Sequence, residues 1–312
     1  MEDGLLVLRH LQVENANAIS GMTWGFPAIS NFLGFVHAVT RQLPKEWKVE
    51  LVGCGVVCHG REVQAYQPRG WGDYVFALTR NPLTKKAELP SFVEEGRMHM
   101  TVSLLIPFKG PLDVLQESIE VEDAEEYIKK MILHKRLAGG TITHVDEVKL
   151  HAFPKDSEGR KIFTQNTIRT LLPGRALVQR SAILAEHLRV CRGRDETAEA
   201  VDAWLDFVAL KYQVVQAKAG GSRNSKVQWN PVAKPGQGCL VPINIGYRGI
   251  SDLYQPGVVD RTRDGVTPFR FVESVYSVGE WISPHRAKSI DQLIWRYCVE
   301  QDTGWYLCKN TF

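Results

Sequence analysis

Nine histidines punctuate the 312-residue chain: His10, His37, His59, His99, His134, His144, His151, His187 and His285. Imidazole titrates near neutrality, so acid–base chemistry is the first to weigh. A metal-independent ribonuclease needs a base near a 2′-hydroxyl and often a second acid. His37, late on the first expected helix, and His285, beside Arg286, qualify by position. A packed or surface role is the ordinary alternative for each. Cys54-x3-Cys58-His59 hints at a metal site, yet no second ligand cluster follows, and LVGCGVVCH reads better as a buried strand. The acids crowd into one helix expected to be solvated, which argues against a two-metal nuclease. G-x-x-x-x-G-K-[ST], G-x-G-x-x-G after a strand, G-x-S-x-G and H-E-x-x-H are all absent. Nucleotide hydrolysis, elbow-type acyl transfer and zincin chemistry are therefore disfavoured. No cofactor and no metal is expected.

Aromatics lie close to amide or basic residues in several stretches. Asn15 and Asn17 precede Trp24; Tyr74 and Phe76 precede Arg80 and Asn81; Tyr247 adjoins Arg248; Phe269 and Phe271 flank Arg270. Single-stranded RNA is bound by such combinations, through stacking on rings or guanidinium planes, amide contacts to base edges and cations on phosphates. Aromatic-rich strands also build cores, so the pattern alone leaves both readings open. The net charge is only +3, but it is segregated. Residues 111–133 hold seven acids against two lysines, residues 151–194 nine cations against three acids, and residues 207–251 six cations and no acid. Long basic loops are either simply solvated or meet phosphate.

The elements that must position these groups follow from composition and period. With 44% hydrophobic and 23% charged residues, the chain is an ordinary globular protein. Its length predicts one large domain, or one carrying an insertion. Six cysteines without a CxxC pair read as free thiols of a cytoplasmic protein. The first fifteen residues lack signal-peptide character, and no apolar run approaches membrane-spanning length. Leu5 to Val13 predicts a strand, Asn15 to Ser30 a loop, and a helix capped by Ser30 or Asn31 runs to about Gln42. Strands are expected over Val49–Cys58, Tyr74–Leu78 and Met98–Ile106. A helix follows from Glu122 to Leu137, stopped by Gly139-Gly140, then an extended Thr141–Val145. This order fits an α+β, ferredoxin-like plan with helices on one face of an antiparallel sheet. Later, Ser181–Val190 and Glu196–Leu210 read as helices, the second with Ala198, Val201, Leu205 and Val208 on one stripe. Ala217–Lys226 reads as a linker, Leu240–Ile245 and Phe269–Val278 as strands, and Ala287–Glu300 as the last helix.

Several separated strings carry a family resemblance. They are Asn15-Ala-Asn-Ala-Ile-Ser20, Thr23-Trp-Gly-Phe-Pro27, Phe35-Val-His-Ala38, Gly55-Val-Val-Cys-His59, Leu78-Thr-Arg-Asn-Pro-Leu83 and Val93-Glu-Glu-Gly-Arg97. Arg136-Leu-Ala-Gly-Gly140, Leu171-Leu-Pro-Gly174, Pro268-Phe-Arg-Phe-Val-Glu273 and Gly279-Glu-Trp-Ile-Ser-Pro-His-Arg286 follow in order. The chain resembles the second-subunit family of the Csy complex, the Cas-five-type proteins of type I-F CRISPR surveillance assemblies. The match is poor over residues 107–132, 151–166 and 190–232.

The resemblance implies an RNA-recognition-like core of the RAMP type, over residues 1–180 and 237–312, with a helical thumb-like insertion at 181–236. It implies a non-catalytic subunit at the 5′ handle of the CRISPR RNA, paired with the large subunit and abutting a backbone subunit, with target DNA in the assembled complex. It carries Asn15, Asn17, Trp24, Arg80, Asn81, Arg97, Gly139, Gly140, Arg270 and Arg286 forward as RNA-binding residues, and the aromatic–basic pattern adds Arg248. For Arg270 and Arg286 the alternative is pairing with Glu273 and Glu280, for the two glycines a helix stop, and for Phe26 the core. His37 and His285 are expected to be structural. The competing function is a metal-independent endoribonuclease that processes repeat RNA, with His37 or His285 as base; a third is a pure protein scaffold offering an acidic face.

Overall fold

The structure, a computed structural model, describes residues 2–110, 119–215 and 228–312. Strand β1 (Gly4–Asn17) opens the fold, followed by the small hairpin β2 (Ile19–Ser20) and β3 (Thr23–Trp24). Helix α1 (Ile29–Thr40) places Ile29, Phe32, Leu33, Val36 and Val39 at helical spacing on its buried face. Then come β4 (Glu50–Leu51) and β5 (Cys54–Val63). The short β6 (Ala65–Tyr66), β7 (Val75–Phe76), β8 (Leu78–Arg80) and β9 (Phe92–Glu94) form two side hairpins, and β10 (Arg97–Lys109) returns to the sheet. Helix α2 (Val121–Leu133), β11 (Arg136–Leu137), β12 (Gly140–His144) and β13 (Glu147–Ala152) complete the first half. The second half runs α3 (Ser157–Thr170), β14 (Arg175–Gln179), α4 (Ser181–Arg192), α5 (Ala200–Val208), β15 (Tyr212–Val215), β16 (Gln228–Pro231), β17 (Leu240–Gly249), β18 (Val272–Ile282), β19 (Ile294–Glu300) and β20 (Trp305–Asn310).

Twelve of these strands share one antiparallel sheet, so the molecule is α+β. β1 lies between β10 on one edge and β12 and β13 on the other, and β10 continues to β5. The free edge of β5 is divided: Cys54 and Gly55 pair with β19, while Val57 and Cys58 pair with β14. From there β14, β18, β17, β20 and β19 pair in turn and return to β5, closing a ring. Closure removes sheet edges that would otherwise need protection.

Alternation along the strands makes two apolar layers. Leu6, Leu8, Val13, Val102 and Leu104 meet α1 and α2 on one face. Leu5, Val7, Val57 and Leu105 meet Leu171, Ile290 and Phe163 of α3 on the other. The expectation of helices on one face thus holds for the first two helices, while α3 covers the opposite one.

Several local expectations are corrected. Asn15 to Asn17 belong to β1 rather than a loop, because a bulge lets the strand continue. The α1 cap is Ala28, without a side-chain bond. The second helix stops at Leu133. Gly139 and Gly140 do not end it but shape the β11–β12 turn, where Ala138 (φ 50°) and Gly139 (φ 77°) both take the left-handed conformation of a tight hairpin. The acids of α2 are not all solvated: Glu125 is buried and accepts from Lys149 Nζ at 2.8 Å and the Leu150 amide at 2.9 Å. The buried side of α5 is Ala203, Trp204 and Phe207, because the Trp204 indole finds the Ser277 carbonyl at 3.1 Å; Val201 and Leu205 face outward. The expected last helix, Ala287–Glu300, is instead one 3₁₀ turn (Ile290–Leu293) followed by strand β19. Ile290, Leu293 and Ile294 mimic a helical period, but Trp295 is anchored in the core by its bond to the Leu177 carbonyl. The expected linker at residues 217–226 lies outside the described residues.

Candidate nucleic-acid interface

The far end of β1 gathers five of the residues singled out by sequence. A bulge between Val13 and Ala16 puts Asn15 at φ 56°. Its backbone amide donates to His99 Nδ1 at 3.4 Å, its carbonyl accepts from Arg97 Nη1 at 3.4 Å, and its side-chain oxygen accepts from Gln64 Nε2 at 2.7 Å. Arg97 also donates through Nε to Glu95 at 2.9 Å. Asn17 is engaged at both ends of its carboxamide by the Ile19 backbone, at 2.9 and 3.0 Å, which sets the turn into β2. Its own amide donates to the Ala138 carbonyl at 2.8 Å, tying in the β11–β12 turn. Gly140 sits where a Cβ would come within 2.6 Å of the Glu14 carbonyl and 2.7 Å of the Ala16 nitrogen, so only glycine lets β12 approach β1 this closely. Gly139 has open space around it.

Beside this cluster lies a cavity of about 450 Å³. Trp24, Phe26, Tyr74 and Trp281 supply aromatic wall, and Arg61 lies at its edge with Nη1 donating to the Gly25 carbonyl at 2.9 Å. Trp24 is 60% exposed and meets Phe76 edge-on at 5.7 Å. Phe26 stacks on Phe32 and packs edge-on against Trp281, so it is a wall of the core first. Sequence reasoning missed Arg61, Gln64 and His99. Arg61 lies on β5, Gln64 just past its end and His99 on β10, and no local pattern in the sequence marks them.

The remaining residues lie apart from that cluster. Arg80 ends β8 and sits 3.9 Å over the Phe92 ring, with exposed Asn81 following it. Arg248, on β17, lies 5.0 Å over the Trp305 ring. Arg270 donates to the Gln301 carbonyl at 3.1 Å rather than to Glu273, while its buried Nε has no partner among the described residues. Arg286 does pair with Glu280, at 2.9 Å, and Arg180 holds the other carboxylate oxygen at 2.7 Å.

The two candidate bases stay apart. His37 rides on α1 against Tyr297, and partial burial, with Arg41 nearby, lowers its pKa. His285 sits in the 3₁₀ turn of the opposite layer, its Nδ1 2.7 Å from Ser283 Oγ. A different histidine has the more elaborate setting. His59 lies between the Pro173 carbonyl and Ser103 Oγ, each at 2.7 Å, so Nδ1 donates to the carbonyl and Nε2 accepts from the serine. Ser103 is fully buried and accepts from the His10 amide at 3.0 Å, which makes it a bulge fastener rather than a nucleophile. Burial lowers the His59 pKa, opposed by its bond to Pro173. Cys54 is buried, which pushes its thiol far up, and it forms no ligand set with Cys58 and His59.

The sequence profile of the CRISPR-associated protein (Cas_Csy2) family matches residues 6–308. The chain belongs to that family. It is also 39% identical to the CRISPR-associated protein Csy2 of Pseudomonas aeruginosa (strain UCBPP-PA14), over 97% of this chain and 94% of that protein. The family is one of type I-F CRISPR systems, in agreement with the resemblance carried by the sequence strings. Among the described residues, no helix is long and apolar enough to cross a membrane.

Proposed function

We propose that the chain is the non-catalytic RNA-binding subunit of a type I-F surveillance complex and holds the 5′ handle of the CRISPR RNA. One observation carries the reading: the aromatic-walled cavity edged by Arg61 opens next to the Asn15–Arg97–Gly139 cluster. A volume of about 450 Å³ falls in the range of small-ligand pockets, roughly 300–1,000 Å³. An unstacked handle base enters it and stacks on Trp24 or Tyr74, while Arg61 and Arg97 take phosphates and Asn15 reads a base edge. Asn17, Gly139 and Gly140 shape the bulge and turn that present these groups. Arg80 with Asn81, and Arg248 with Arg270, follow the backbone further along; Arg286 stays with Glu280 and supports the sheet.

The core is of the ferredoxin-like RAMP type on this reading. Support comes from the first half, where the strands run β13, β1, β10, β5 across the sheet with α1 and α2 on one face. Residues 1–180 and 237–312 form that core, and 181–236 the thumb-like insertion. Tyr66, Trp71, Leu78, Leu89 and Phe92 are exposed on the β6–β9 segment and offer apolar area to the large and backbone subunits, and the complex then meets target DNA. The protein acts in the cytoplasm.

The test uses the chain co-expressed with its large-subunit partner and 5′-labelled repeat RNA, run on native and denaturing gels with chelator present. A shifted band with intact RNA is expected. Arg61→Ala or Arg97→Ala each lowers affinity at least about tenfold, within the roughly 1–3 kcal/mol of a specific contact. Unchanged affinity in both sinks the site assignment. A cleaved product lost in His37→Ala or His285→Ala replaces this reading with the endoribonuclease.

A further inference from the structure

Away from the RNA-facing cluster, three metal-ligating side chains of different chemistry converge between α4 and α5. His187 and Cys191 stand four residues apart on α4, so both project from one face of that helix. Asp206 reaches them from α5. His187 Nε2 is 2.7 Å from Asp206 Oδ2, Cys191 Sγ is 3.5 Å from His187 Nε2, and Cys191 Sγ is 3.8 Å from Asp206 Oδ2. A point equidistant from these three atoms lies about 2 Å from each. Zinc bonds to N, O and S donors run roughly 2.0–2.3 Å, so an ion just above the plane of the three atoms meets all of them at bonding distance and keeps a fourth position open.

We propose that His187, Cys191 and Asp206 form a three-ligand site for a tetrahedral divalent transition metal of the zinc type. A nitrogen, a thiolate and a carboxylate together suit that class and not magnesium or calcium, which take oxygen shells. Lys211 pairs with the other Asp206 oxygen and leaves Oδ2 to face the ion. The His187 ring is wedged edge-on against Phe207 at 5.3 Å, which fixes the nitrogen's direction. The side chains of His187 and Asp206 keep 18% and 28% of their exposure, so the fourth position is reachable by water. Binding expels the Cys191 thiol proton to solvent, moves the His187 proton from Nε2 to Nδ1 so that Nε2 is free to ligate, and ties α4 to α5. The same two helices contribute Ile183, Leu184, Trp204 and Phe207 to the apolar cluster against Val278 of the sheet, so the ion fastens this whole helical unit.

The experiment is Co²⁺ titration of the chelator-stripped full-length chain, followed by absorbance. One equivalent is expected to give intense tetrahedral d–d bands and a thiolate-to-cobalt charge-transfer band, both displaced by Zn²⁺, and Zn²⁺ raises the thermal midpoint. Cys191→Ser abolishes the charge-transfer band, and His187→Gln weakens binding at least tenfold. Cys239→Ser, which alters an exposed thiol elsewhere, leaves the spectrum unchanged. Circular dichroism confirms that each variant is folded. Weak octahedral bands without sulfur charge transfer, or a charge-transfer band that survives Cys191→Ser, overturns the site.

Discussion

Arg286 and Arg80 read alike along the chain, each an arginine in a string rich in proline, serine or threonine, yet the fold uses them in opposite ways. Arg286 reaches a carboxylate that is only 4% exposed, and Arg180 holds the same group from the other side. Two guanidinium groups compensate one buried charge, so neither is free to leave it. Arg80 instead lies flat over Phe92 on a side hairpin whose ring is 61% exposed. Nothing acidic competes for its charge among the bonds described, and its planar face stays beside solvent. A buried partner commits a cation to the fold; an exposed ring presents it.

The contrast is broken most severely by removing both clamps. Arg180→Ala with Arg286→Ala leaves Glu280 buried and unpaired and is expected to lower unfolding free energy by about 3 kcal/mol, from the low end of such deletions because Arg286 is half in solvent. Urea unfolding measures it, and a wild-type midpoint would remove the distinction between the two arginines. Next is Gly140→Ala, where the added methyl meets backbone on two sides; a loss of roughly 1–3 kcal/mol is expected. Gly139→Ala, with open space and only the left-handed φ against it, loses about 1 kcal/mol. Reversal of that order would place the close approach at the wrong glycine.

Arg80→Ala is expected to change stability by no more than about 0.5–1 kcal/mol, the scale of an exposed cation–π contact. If Arg80 meets a phosphate, the same variant flattens the salt dependence of handle binding by about one unit of log–log slope. The smallest effect concerns pH. Burial lowers the pKa of His59 and His151 from 6.5, so the folded state resists their protonation. Their contribution to stability is present above pH 6.5 and is lost as pH falls through their lower folded values. Thermal midpoints taken from neutral pH downward should fall, and His151→Phe should flatten the slope if the protein stays folded; a midpoint that rises on acidification contradicts it.

Much of the fold is legible in the chain itself. The apolar spacing of Phe32, Leu33, Phe35, Val36 and Val39 marks the inner face of α1, and the run around Cys54 marks a buried strand, because burial follows period. The resemblance brought the family, which the profile and the Pseudomonas relative show. The α5 stripe and the C-terminal hairpin were misread for one reason. Their decisive interactions are the Trp204 and Trp295 indole bonds to carbonyls 73 and 118 residues away, and no local window contains such a partner.

By itself, then, the chain's order of residues determined which side chains had to leave water, where the long strands and the first two helices fell, and to which family the protein belongs. Tertiary structure alone decided what the polar residues do with the surfaces left over. It closed the sheet through the divided edge of β5 and brought Asn15, Gln64, Arg97 and His99 from three stretches to one bulge. It also paired Glu280 with two arginines and set Asp206 against His187 and Cys191. Hydrophobic burial depends on local period and is written along the chain. Charge pairing and ligand geometry depend on distances of a few ångströms between residues far apart in sequence, and these exist only once the chain has folded.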